Sequence, residues 1–264
     1  MQSHSTETTS AITLAAQADL VLITVEMLRS PQSIDRSSIE PWYELPIESF
    51  HALLETAFGQ SESTHISHAE LSLAGALEEV YHIARQLDHE AWSDEYWRLF
   101  DSSQACTLNQ ASYVRRDKGT ILGDVCGFYN AFGWQANLSR GERPDSLNTQ
   151  LEFIGMMFAM AARADRQADR QVVLDALAQF ARVHMHDWLP TVCYHLIDST
   201  QLTYFGAVGQ WVMMLWSQLT EFHAWPIDPV SNAPLAPTIE PEDPYECGAP
   251  DLVQLQTKEI GSHS

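Results

Sequence analysis

Apolar residues recur at intervals of three and four along most of the chain, the spacing of one face of an α-helix. Ile12, Ala16, Leu20, Ile23 and Met27 define a first such face. Thr8-Thr9-Ser10 precede it with hydroxyls suited to a helix N-cap. Pro41-Trp42 and Pro46 interrupt the pattern before a short helix around Ile47–Phe58. Leu71, Leu73, Ala76, Val80, Ile83 and Leu87 support a longer helix, and Trp92 to Phe100 another. Ile121, Val125, Phe128 and Phe132 mark the next, followed by Leu147, Leu151, Ile154, Phe158 and Ala161. Val173, Leu177 and Phe180 carry a further one, and Val208, Val212, Leu215, Leu219 and Phe222 close the set. No segment of strand length alternates apolar with polar residues. The expected fold is all-α, a single helical-bundle domain.

Two segments leave this pattern. From Ser102 to Asp117 the chain is polar and irregular. From Ala224 onward lie seven of the twelve prolines and seven acids against the single Lys258, a composition that cannot continue a helix. The expected division is a helical domain over 1–223 and an acidic, Pro-rich tail over 224–264. Trp225, Tyr245 and Leu252 are the tail residues suited to pinning it to the body.

Charge then narrows the class. The chain has 264 residues, 14 Lys+Arg and 35 Asp+Glu, for a net charge of −21. Such a balance repels phosphate backbones and anionic lipid, and it suits a basic partner. No apolar run reaches the ~18 residues of a membrane span, so neither nucleic acid nor a spanning segment is expected. The apolar stretch from Ala11 lacks the basic flank of a secretory signal. Cys106, Cys126, Cys193 and Cys247 lie far apart with no C-x-x-C pair, which fits neither a zinc site nor a disulfide framework. A cytoplasmic protein is expected.

Candidate chemistry is sparse. Glu79-x-x-His82 has the i, i+3 spacing of one half of a di-iron site, but no second copy accompanies it. A helical metalloprotein using Glu79, His82 and Glu221 or His223 is therefore the alternative function. No G-x-S-x-G elbow, reactive-cysteine setting or phosphate-binding glycine loop is present, and no cofactor or catalytic residue is assigned. His184 shares the face of Leu177 and Phe180, the place of a core histidine. Met156, Met157 and Met160 on one helix and Met213-Met214 on another suit either core filling or a groove for apolar helices.

Three ordered patterns resemble the TorD/DmsD/NarJ family of redox-enzyme maturation chaperones. The first is Asp94-Glu95-Tyr96-Trp97-Arg98-Leu99-Phe100, similar to the family's aromatic-x-x-Leu-Phe segment. The second runs from Gly127-Phe128-Tyr129-x-x-Phe132-Gly133 to Glu142-Arg143-Pro144-Asp145-Ser146-Leu147 and on to Leu151-Glu152-Phe153. The third is Phe180-x-x-x-His184-x-x-x-Trp188-Leu189-Pro190. Order and spacing agree over roughly 94–196.

The resemblance implies a non-enzymatic helical chaperone for the apo catalytic subunit of a molybdopterin-dependent oxidoreductase. It would hold the twin-arginine leader or the mature part, assist cofactor insertion and delay export. Tyr96, Leu99, Phe100, Pro144 and Asp145 match the family's leader-binding positions, with His184 and Trp188 in the closing motif. Ser146 stands where the family usually has histidine, so no imidazole role carries over to it. Asp94, Glu142 and Asp145 are the carboxylates suited to an arginine pair beside an apolar groove. A monomer or an exchangeable dimer is expected.

Overall fold

The computed structural model describes residues 10–31, 41–59, 72–100, 106–136 and 143–225. Nine α-helices occupy them: α1 Ala11–Met27, α2 Ile47–Phe58, α3 Leu73–Gln86, α4 His89–Phe100, α5 Lys118–Ala131, α6 Leu147–Arg163, α7 Gln167–Phe180, α8 Leu189–Ser199 and α9 Thr203–Phe222. Short 3-10 turns cover Trp42–Glu44 and Gln110–Ser112, and a π-turn covers Ala181–Met185. Among the described residues there is no strand, only an isolated bridge between Asn109 and Ser146. The fold is all-α.

The central element is α1. Leu14, Leu20, Val21, Val25 and Met27 are all buried, and α6, α2 and α9 pack around it. Ser10 starts it by accepting from Thr13 N at 3.0 Å, the cap that the sequence suggests. Its last carbonyls have no partner in their own helix, and other helices supply them. Tyr204 Oη of α9 donates to Met27 O at 3.0 Å, and Asn148 Nδ2 of α6 donates to Leu28 O at 3.0 Å. Buried Gln17 bridges α2 and the end of α9: its Nε2 reaches Ala57 O at 3.0 Å, and its Oε1 lies 2.8 Å from His223 Nε2.

Close packing needs glycine at one seam in particular. A Cβ on Gly209 would lie 3.2 Å from Cys193 O, so α8 and α9 meet almost backbone to backbone there.

Helix α8 escapes the sequence pattern. Pro190 reads as a breaker, yet it stands in the first turn, where the missing N–H costs nothing. Ser146 caps α6, accepting from Thr149 N at 3.2 Å. Helix α9 ends with Ala224 in the left-handed region at φ 47°, and Trp225 N returns to Thr220 O at 3.1 Å. Trp225 is buried against Trp216, Phe158 and His223. Tyr245 and Leu252 lie outside the described residues. Cys106 and Cys193 are free and buried. Cys126 is disulfide-bonded, a pairing that the spacing does not signal.

Candidate functional site

The irregular stretch before α5 is an interior element. Cys106, Thr107, Gln110 and Tyr113 are buried, although the sequence reads this stretch as a polar loop. A polar segment can run inside only if its backbone finds partners. Three clusters supply them, and each contains one of the sequence motifs.

The first cluster sits on α4. Tyr96 and Phe100 pack edge to face at 4.8 Å, and Phe205 of α9 lies 5.6 Å from Phe100. Tyr96 and Leu99 are buried, while Phe100 keeps partial exposure. Leu99 O accepts from Cys106 N at 2.9 Å and so anchors the start of the segment. On the same helix Glu95 is buried. It accepts from Arg98 Nε at 2.5 Å, from Arg98 Nη2 at 2.7 Å, from Thr200 Oγ1 at 3.0 Å and from Gln201 N. Burial alone would raise its pKa; the Arg98 contact and the hydrogen bonds from Gln201 and Thr200 outweigh this and hold it at about 2. Arg98 also donates to Ser199 O at 2.6 Å, so α4 clamps the α8–α9 turn.

The second cluster is the entry to α6. Asp145 is fully buried, and its carboxylate accepts from Arg143 Nε at 2.9 Å, Arg143 Nη2 at 3.1 Å and Ala111 N at 2.9 Å. Its carbonyl takes Gln110 N at 2.9 Å, and Leu147 N donates to Leu108 O at 2.7 Å. Tyr129 Oη donates to Pro144 O at 2.7 Å from inside the bundle. Pro144 is buried, and Ser146 is half-buried.

The third cluster surrounds the π-turn. Trp188 is buried, stacks on Tyr113 at 5.8 Å and donates Nε1 to His184 O at 2.5 Å. His184 is buried between Phe128 and Phe180, with neither ring nitrogen hydrogen-bonded. Burial pushes its pKa down to about 4. It is a core histidine, as its helical face suggests.

The segment 106–113 therefore joins all three motifs: Cys106 to Leu99, Gln110 and Ala111 to Asp145, Tyr113 to Trp188. Phe100 and Asp145 belong to different clusters rather than to the walls of one cleft. Glu142 lies outside the described residues, and Asp94 is exposed on α4. Sequence reasoning missed Glu95, which looks like an ordinary surface acid until Thr200 and Gln201 are seen beside it.

Elsewhere, Glu79 and His82 are exposed on α3, and the His223 ring is engaged by Gln17. Among the described residues, no group of three His, Cys, Asp or Glu side chains is arranged to hold a metal ion. No described helix is long and apolar enough to cross a membrane.

A family model described as nitrate reductase delta subunit matches residues 66–194. That range runs from before α3 into α8 and contains the motif residues of all three clusters and the segment between them, but not the α8–α9 partners of Glu95 and Phe100. No curated protein and no solved structure matches the chain.

Proposed function

We propose, for a chain that belongs to the TorD/NarJ family of molybdoenzyme maturation chaperones, that its client is the apo catalytic subunit of an exported molybdopterin oxidoreductase. It holds the subunit by its twin-arginine leader, in the cytoplasm, until cofactor insertion is complete. The observation that carries this reading is the family match across the braced segment and its three clusters. The net charge of −21 supports a client with a cationic head.

Within that reading the motif residues divide by depth. Tyr96, Leu99, Pro144, Asp145, His184 and Trp188 act from beneath, keeping 106–113 in one conformation. Phe100 and Ser146 are within reach of a client, and the exposed Asp94 offers a carboxylate to its arginines. Preforming the segment spares the complex the cost of ordering it.

Calorimetric titration of the full chain with the client's leader peptide tests this. The expected result is a dissociation constant near micromolar, about −8 kcal/mol, that weakens as salt is raised. Phe100→Ala weakens it further, while Tyr194→Ala on α8 does not. Absence of binding to both the leader and the apo subunit overturns the proposal.

A further inference from the structure

Helix α5 carries more glycine than its own packing explains. Gly119, Gly123 and Gly127 recur at every fourth position and, with Asn130 and Ala131, form an exposed face. Glycine inside a helix is destabilising relative to alanine, so its repetition calls for a neighbour that needs the space. Gly209 has such a neighbour in α8. At Gly123 and Gly127, apart from the helix's own backbone and the adjoining residues, no described atom lies within 4 Å of where a Cβ would stand.

A covalent bond leads away from the same helix. Cys126 lies at the edge of the glycine face, three residues after Gly123 and four before Asn130. It is disulfide-bonded, whereas Cys106 and Cys193 are free, and the chain has four cysteines. Elimination leaves Cys247, which lies outside the described residues. Charge points the same way. Arg115, Arg116 and Lys118 bring three of the 14 basic residues together at the start of α5. Arg116 pairs with Asp124 at 2.8 Å, while Arg115 and Lys118 make no ion pair with a described residue. Directly before Cys247 the sequence has Glu240, Glu242, Asp243 and Glu246.

We propose that the acidic segment 240–251 seats on the glycine face of α5, secured by a Cys126–Cys247 disulfide and by its acids against Arg115 and Lys118. The lengths agree. Lys118 and Cys126 are eight helical residues apart, about 12 Å, and Asp243 and Cys247 are four extended residues apart, about 13 Å. Pro241 and Pro244 favour that extended form. The 22-residue step from Trp225 to Cys247 spans up to about 70 Å, more than the width of a bundle of this size. A cationic leader is a poorer occupant, because it would meet Arg115 and Lys118 as like charges. A second copy's tail has the same acids but lacks the tether.

Closing the bond needs a two-electron oxidant, and glutathione disulfide is one. The Cys126 and Cys247 thiols give up two electrons and two protons, which leave on two molecules of glutathione. The strength of the seat therefore sets how reducing a medium must be to release the tail. Mass mapping of the unreduced, alkylated full chain is expected to join the Cys126 and Cys247 peptides within one monomer. Docking is read apart from the bond, as the equilibrium of the full chain with reduced and oxidised glutathione. Gly123→Leu is expected to shift that equilibrium about ten-fold toward the dithiol, with the helical circular dichroism signal retained. Arg115→Glu with Lys118→Glu should shift it several-fold the same way, an effect that shrinks at about 1 M salt. If both variants leave the equilibrium unchanged, the tail is a loose tether and the proposal is overturned. A bond between two chains, or a Cys126 thiol that alkylates in the unreduced protein, overturns it as well. None of these outcomes bears on the chaperone reading, which the leader titration tests separately.

Discussion

Glu95 and His184 show how burial gives residues of ordinary sequence appearance opposite roles. Glu95 accepts four hydrogen bonds, so removing its carboxylate takes the acceptor of the Gln201 amide and the counter-charge of Arg98, while Thr200 keeps Leu202 O. Glu95→Ala is expected to cost about 2–3 kcal/mol in urea unfolding, more than a surface substitution such as Asp94→Ala. His184 is the converse, a ring with no hydrogen bond in an aromatic cage. It and His223, each lowered to about 4 by burial, are neutral in the folded chain, whereas the unfolded chain protonates near 6.5. Because the unfolded state takes up the proton first, stability is full above about pH 6.5 and falls as pH drops toward 4, by up to about 3 kcal/mol for each histidine. Denaturation at stepped pH should show this slope, and His184→Phe should remove about half of it. Neither role is written in the local sequence. A histidine spaced with Leu177 and Phe180 is legible as core, but two partners that bury Glu95, Thr200 and Gln201, lie about a hundred residues away.

At the scale of elements, periodicity located eight of the nine helices, because each buries one apolar face. The ninth, α8, was hidden by a proline that starts a helix as readily as it ends one. The segment 106–113 was hidden for a different reason: its burial depends on backbone partners, which leave no apolar period. Its order hangs on the α6 entry, where the Asp145 carboxylate holds Ala111 N and Arg143. Asp145→Ala is expected to cost about 2–3 kcal/mol and to speed amide hydrogen exchange over 106–113 more than in α1 or α9. The end of α9 offers a gain instead. Ala224 occupies a left-handed position where glycine pays no steric cost, so Ala224→Gly should raise stability by about 0.5–1 kcal/mol, read as a higher midpoint in urea.

Over the whole molecule, the sequence motifs and the family match fall on the same stretch of the chain, and the structure places most of the motif residues inward. Ordered recurrence from Asp94 to Leu196 was visible without coordinates. That most of these residues face inward was not, since aromatic and acidic types occur on surfaces and in cores alike. Among the motif residues, Phe100 and Ser146 keep partial exposure. The π-turn between α7 and α8 has a further consequence for the entire C-terminal part. His186 N reaches back five residues to Ala181 O, so the turn holds one residue more than ordinary winding allows. It absorbs that residue locally, so the positions on either side keep the alignment of an unbroken helix. Deleting Val183 would therefore return the turn to ordinary winding and leave Trp188 facing Tyr113, a shortening that the rest of the bundle would not register.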